Sequence, residues 1–211
     1  MKNLLIIGAR GWGREVFGML PDCQGYGTEF VVKGFLDDKV DALENYEGYP
    51  PIIDSVEHYE PHKNDVFVCA LGEPKWKKYY AEIMVSKGGK FINLIHKNAF
   101  IGKNTKLGKG CIISREASVS CDVVVGDFVT LQRLSTIGHD SRIGNYCHMG
   151  TYSFMGGYSI MEDLSMIYTR GTLIPHKRLG ESAVLGVGSV AMTNVKTGTT
   201  VIGIPAKVLK I

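Results

Sequence analysis

Ile137-Gly138-His139-Asp140-Ser141-Arg142 is followed by Ile143-Gly144-Asn145-Tyr146-Cys147-His148 and then Met149-Gly150, so one six-residue phrase is spoken twice and begun a third time. Outward from this stretch the frame extends to Ile95 on one side and Thr197 on the other without an insertion, and seventeen of its eighteen leading positions are apolar. The residue after the leading one is Gly in ten hexads, and the fifth is small or β-branched everywhere except Lys177. No α-helix and no alternating strand has a period of six, whereas the coil of a parallel β-helix does. One large side chain per short strand then points inward, and small residues and glycines are expected at the corners. A disordered Gly-rich repeat would leave the apolar column nowhere to go, while stacked coils bury it as one core.

The first ninety residues follow a different rhythm. Asn3–Ala9 is an apolar run of the kind found in buried parallel strands, and Gly8-Ala9-Arg10-Gly11-Trp12-Gly13 leads from it into a helical pattern from Arg14 to about Leu20. Further strands are expected at Phe30–Leu36, Asp65–Leu71 and Phe91–Ile95, with a helix from about Pro74 to Ser86. Residues 39–64 read as an irregular connection. Such alternation argues a small open parallel sheet. The division is therefore residues 1–92 as a Rossmann-like small parallel-sheet domain and residues 93–211 as an all-β helix.

The glycine spacing G-x-x-G-x-G is not the dinucleotide fingerprint, and a tight strand-to-helix turn would read the same way. Its place at the carboxyl end of the first strand is where ligands of open α/β sheets sit, with backbone N–H groups ready for phosphate. Asp37 and Asp38 end the second strand, where a carboxylate accepts from ribose hydroxyls or simply forms a solvated turn. Arg10 suits a pyrophosphate and Trp12 a base or sugar face. Gly72 closes the third strand at the same edge of the sheet, and together these residues favour a nucleotide or nucleotide-sugar as the ligand of residues 1–92.

The net charge of +3 conceals a division, −3 over residues 1–92 and +6 over residues 93–211. A basic coil domain suits a polyphosphate ligand better than nucleic acid, since the lysines are dispersed. Five cysteines without a CxxC pair argue for packing in a reducing cytosol, and no segment reads as a signal peptide or a membrane span.

The order Ile6-Ile7-Gly8-Ala9-x-Gly11-x-Gly13-Arg14-Glu15, Gly34-Phe35-Leu36-Asp37-Asp38, Phe91-Ile92-Asn93-Leu94-Ile95-His96, Ile137-Gly138-His139-Asp140 and Gly203-Ile204-Pro205-Ala206-Lys207 resembles the sialic acid O-acetyltransferase family and the bacillosamine-pathway and perosamine N-acetyltransferases. The resemblance implies a left-handed β-helix with three hexads per coil, hence about six coils. It also implies a homotrimer and transfer of acetyl from acetyl-CoA to a hydroxyl or amine of a bacterial surface sugar, with no metal. It places the catalytic base on His139 and the acid that orients it on Asp140, as imidazole near neutral pH and a neighbouring carboxylate allow. It makes His148, which by its place in the hexad faces outward or toward a neighbouring subunit, a contact to acetyl-CoA. Gly157 falls one coil after His139, where an N–H polarises the thioester oxygen, and Thr169 and Val187 fall on further cofactor contacts. Lys177 breaks the small-residue column, so distortion is expected near 161–178. Two other readings stand beside this one: a non-catalytic sugar-nucleotide-binding protein, and a zinc enzyme of the γ-carbonic anhydrase type, whose short histidine spacings are missing here.

Overall fold

A computed structural model describes residues 1–209. The N-terminal part holds four parallel strands, β1 (Lys2–Ile7), β2 (Phe30–Leu36), β3 (Ile52–Asp54) and β4 (Asp65–Cys69), in the order β3-β2-β1-β4. Helix α1 (Gly11–Met19) follows β1 and helix α2 (Pro74–Ser86) follows β4. Alternation along β1 decides which helix covers which face. Leu4 and Ile6 pack with Val16 and Leu20 of the α1 side, while Leu5 and Ile7 pack with Ala81 and Met84 of α2. Both faces are covered, as an all-parallel sheet requires.

Several boundaries differ from the sequence expectation. The first and third strands stop at Ile7 and Cys69, because Gly8 and the turn after Ala70 leave the ladder. The connection of residues 39–64 contains β3, which pairs with β2 through Phe35 and Leu36. Phe91 makes only an isolated bridge to Phe67, and Leu94–Ile95 already pairs with Ile112–Ile113 as the first rung of the coil domain. The expected last strand, Phe91–Ile95, is thus split between the two parts.

From Leu94 the chain winds as a left-handed parallel β-helix of two-residue strands, each pairing with the strand eighteen residues later. Three faces result. The first carries Leu94–Ile95, Ile112–Ile113, Thr130–Leu131, His148–Met149, Met166–Ile167 and Val184–Leu185. The second carries Phe100–Ile101 through Val190–Ala191, and the third Lys106–Leu107 through Arg178–Leu179. The leading residues of the hexads form one continuous core from Ile113 to Ala191.

The corners are built differently from the expectation. The residue with positive φ is the fourth of the hexad, and it is non-glycine at thirteen corners, with φ from 54° to 62°. Left-handed backbone costs roughly 1–2 kcal/mol per residue. It is offset by a bond to the coil below, as when Tyr158 N–H donates to the His139 carbonyl at 3.0 Å. The glycine column serves a different need: a Cβ at Gly138 would stand 2.4 Å from the Gly157 nitrogen, so the glycines permit close stacking of coils.

The ladder runs unbroken through residues 161–178, and Lys177 distorts nothing. The register does change at the end. Leu179 bridges Val195, and Val184–Leu185 pairs with Thr200–Val201, both sixteen residues on. Val195 and Val201 therefore enter the core while Thr197 is exposed. The last coil is two residues short, and Thr200–Gly203 then folds back antiparallel on Ala206–Val208.

The two parts share their cores. Leu94 and Ile112 on the first face belong to the cluster under α1, and Phe128 belongs to the cluster under α2, stacked on Tyr146 at 5.0 Å.

Candidate active site

His139 and Asp140 occupy the corner between the second and third faces. Asp140 takes the left-handed conformation (φ 57°), which turns its carboxylate back toward the preceding side chain. Its Oδ2 lies 2.8 Å from His139 Nδ1. The pair is exposed, with 54% and 41% of the side chains accessible, so it is a surface dyad outside the core column. One coil on, Gly157 lies against the ring: a Cβ there would meet His139 Cε1 and Nε2 at 3.0 Å. Tyr158 sets its ring edge-on to the imidazole at 5.3 Å and is itself stacked on His176 at 5.0 Å. An imidazole whose Nδ1 is engaged by a carboxylate has Nε2 left to accept a proton.

Thr169 and Val187 do not join this group. They lie one coil apart, exposed, at the corner between the first and second faces, where the Gly188 N–H donates to the Thr169 carbonyl. His148 is a correction. Its place in the hexad does point away from the β-helix core, but the N-terminal domain covers that face, leaving the residue 3% exposed. Its ring stands edge-on to Trp12 at 6.4 Å, and Nδ1 is enclosed without a partner among the described residues, as is Trp12 Nε1. Burial, and then the charge of Lys77, push its pKa down to about 3, so this imidazole is neutral throughout the physiological range.

A cleft of about 470 Å³ opens at the carboxyl ends of β1, β2 and β4. Arg10, Asp37, Asp38 and Gly72 line it. Gly11 faces a smaller basic hollow beside it, shared with Arg10, Arg14 and Lys39. The glycine loop is explained residue by residue. Gly8 needs its φ of +97°, and a Cβ at Gly13 would stand 1.9 Å from the Gly8 carbonyl oxygen. Around Gly11 nothing lies within 4 Å, so this glycine alone of the three is free to meet a ligand. Asp37 braces the loop: Oδ2 accepts from Ala9 N–H at 2.8 Å and Oδ1 from Lys39 N–H at 2.9 Å. Asp38 accepts from the Tyr80 hydroxyl.

Trp12 is turned away from this cleft, against the core below α1. The aromatic walls are instead Trp76 and Tyr80 of α2, which the sequence reading missed. Their signal was present: four residues apart on the helix after β4, they share a face that opens on the carboxyl edge of the sheet. His148 lies buried behind Gly72, one of the lining residues: its Cε1 would be 3.9 Å from a Cβ there. One chain thus presents two groups on opposite sides of the prism: His139, Asp140 and Gly157 at one edge, and the cleft with His148 on the face opposite that edge. Among the described residues, no three His, Cys, Asp or Glu side chains gather in a metal-binding arrangement, and no helix is long and apolar enough to cross a membrane.

Residues 3–84 match the family model described as PglD N-terminal domain. No curated protein sequence matches the chain. Among solved structures, PerB from Caulobacter crescentus in complex with CoA and GDP-perosamine superimposes with a TM-score of 0.89 at 20% identity, covering 100% of this chain and 98% of that one. The acetyltransferase domain of PglB from Neisseria gonorrhoeae gives 0.89 at 25% identity, covering 99% and 100%. WeeI from Acinetobacter baumannii gives 0.85 at 22%, covering 99% and 100%. A complex of the PglB domain with acetyl coenzyme A gives 0.88 at 26%. With a PglD N-terminal domain at residues 3–84 and this architecture throughout, the chain resembles the NeuD/PglD-like sugar acetyltransferases over its whole length.

Proposed function

We propose that this protein is an acetyltransferase that moves the acetyl group of acetyl-CoA to an amine or hydroxyl of a nucleotide-linked sugar, in the cytoplasm, with His139 as general base and Asp140 holding its ring. The observation that carries the reading is the His139–Asp140 dyad at 2.8 Å with Gly157 against the open edge of the imidazole. Nε2 takes the proton of the attacking nitrogen or oxygen as it adds to the thioester carbonyl, and Asp140 stabilises the imidazolium that forms. The Gly157 N–H, beside the ring, supplies a donor to the developing oxyanion. The thiolate of CoA leaves as the tetrahedral intermediate collapses, and the proton on His139 passes to it.

The relatives' structures support the ligands, being complexes with acetyl coenzyme A and with CoA and a nucleotide sugar. The placement of the residues supports a homotrimer. A nucleotide sugar anchored in the cleft lies beside its own chain's His148, with its own His139 across the prism, so His139, Asp140 and Gly157 have to come from a neighbouring copy. Thr169 and Val187, on an edge bordering the first face, then flank the acetyl-CoA between the two chains. Exposed Phe100 and Phe154 on the second face give such an assembly apolar surface to bury.

Thiol release from acetyl-CoA, measured against a panel of nucleotide amino-sugars, nucleotide sugars and free sialic acid, tests the activity. Release with one member of the panel and acetylation of that sugar by mass spectrometry is the expected result; release with none would sink the reading.

A further inference from the structure

Lys77 is the least expected residue of the interior. It lies in α2, 1% exposed, in a helix interior that would accept Met or Leu at lower cost. No carboxylate pairs with it among the described residues. Its Nζ donates instead to backbone carbonyls of the β-helix, Cys147 at 3.1 Å and Tyr146 at 3.5 Å. Buried charge held only by carbonyl dipoles is costly, and burial pulls the amine down to about 8. A group retained at that cost has a task that packing alone does not supply.

The positions of its neighbours say what the task is. Trp76 and Tyr80 of the same helix line the cleft within one turn of Lys77, as does Glu73 at the helix N-cap. The carbonyls that Lys77 holds belong to the two residues directly before His148, which is packed behind Gly72 of the cleft wall. Tyr146 also stacks on Phe128 in the core shared by α2 and the coils. Helix α2 is therefore a bar with the cleft wall on it, and Lys77 is the polar pin fastening it to the rung that carries His148.

We propose that Lys77 is a positioning residue, which fixes the nucleotide-binding wall of α2 against the Tyr146–His148 segment and so sets where the acceptor sugar arrives relative to the acetyl donor. The proposal rests on the acetyltransferase reading for its consequence in turnover, but the mechanical coupling stands apart from it. The carbonyls of Tyr146 and Cys147 are off the catalytic dyad, so Lys77 touches no reacting atom. What it controls is distance and angle between two bound ligands, and displacement of about 1 Å is enough to cost up to roughly 100-fold in rate.

The test uses the full chain, Lys77→Met (unbranched and close in volume), and amide hydrogen exchange with UDP, GDP and dTDP as probes. In the wild type, a nucleoside diphosphate that binds should slow exchange in residues 72–80 and also in residues 145–150. In a folded Lys77→Met the first protection should remain and the second should vanish. Affinities for the nucleotide and for acetyl-CoA, each by calorimetry, should change less than about twofold, while kcat with the nucleotide sugar falls roughly 10- to 100-fold. Wild-type protection confined to residues 72–80 would overturn the proposal without any variant. So would a folded Lys77→Met that keeps both protections, or whose loss of turnover is matched by loss of either affinity. Binding of no nucleotide by the wild type would instead remove the reading of the cleft, and with it the wall that Lys77 is said to hold.

Discussion

The dyad at the β-helix corner separates chemistry from stability, because His139 is exposed and its ring supports no core contact. His139→Ala should therefore leave the melting temperature and acetyl-CoA affinity nearly unchanged while kcat falls by roughly 10²–10⁴. Wild-type turnover in that variant would transfer the role of base elsewhere. Gly157→Ala probes the same ring from the other side. Its methyl would arrive 3.0 Å from Cε1 and Nε2, closer than ordinary contact, so the imidazole has to swing. A drop in kcat with an unchanged fold is expected, and full activity would show that the ring's placement is not critical. His148 makes an opposite kind of prediction, about stability. Its folded pKa of about 3 lies below the 6.5 of an open chain, so below pH 6.5 the unfolded state takes up a proton that the native state refuses. Stability should be full above pH 6.5 and decline as pH falls toward 3, by an amount on the order of a few kcal/mol. Urea midpoints between pH 7 and 4 should show the decline, and His148→Gln should flatten most of it. His96, also lowered by burial, accounts for a remainder. Equal slopes in both proteins would contradict the buried, neutral histidine.

At the level of coils and helices the glycine column is the most exposed to test. Gly138 has nothing to do with positive φ, yet Ala there would press a methyl to 2.4 Å from a backbone nitrogen of the next coil, which cannot rotate away. Gly138→Ala should cost about 1–3 kcal/mol, the usual range for overpacking a rigid interior, read as a lower denaturation midpoint; a neutral result would mean that the coils can spread. Such features explain what the sequence revealed and what it hid. The β-helix was legible because its core column recurs at a fixed spacing, so every coil restates the same backbone. The dyad was legible because both members are adjacent in the chain. His148, Trp12 and Lys77 were not, because their environments arise where two differently patterned parts meet, and no local period records a face covered from outside. The shortened last coil had left one trace, since Thr197 was the polar member of the apolar column and proved to be the residue that falls out of register.

For the molecule as a whole, the shared core has two consequences. A chain beginning near Phe91 would uncover Leu94, Ile112, Thr130 and His148 together, all buried now. The two parts are thus expected to unfold in one transition. The placement of His139 across the prism from the cleft predicts complementation between copies. A Cβ at Gly72 would meet His148 Cε1 at 3.9 Å, an ordinary van der Waals contact, so Gly72→Asp should fold and place a carboxylate where an anionic nucleotide binds. Neither His139→Ala nor Gly72→Asp should turn over alone. Trimers refolded from an equal mixture should recover about a quarter of the sites, by random assortment of two half-sites; no recovery would place both halves in one chain. The ending of the coil stack carries a last consequence, for solubility. A stack that stopped on a full rung would offer unpaired N–H and C=O groups in a register that another stack could continue, a template for fibre growth. Here the final turn is two residues short and the first face closes with an antiparallel return of Ala206–Val208, so the terminal edge no longer matches the repeat and end-to-end polymerisation is denied its starting surface.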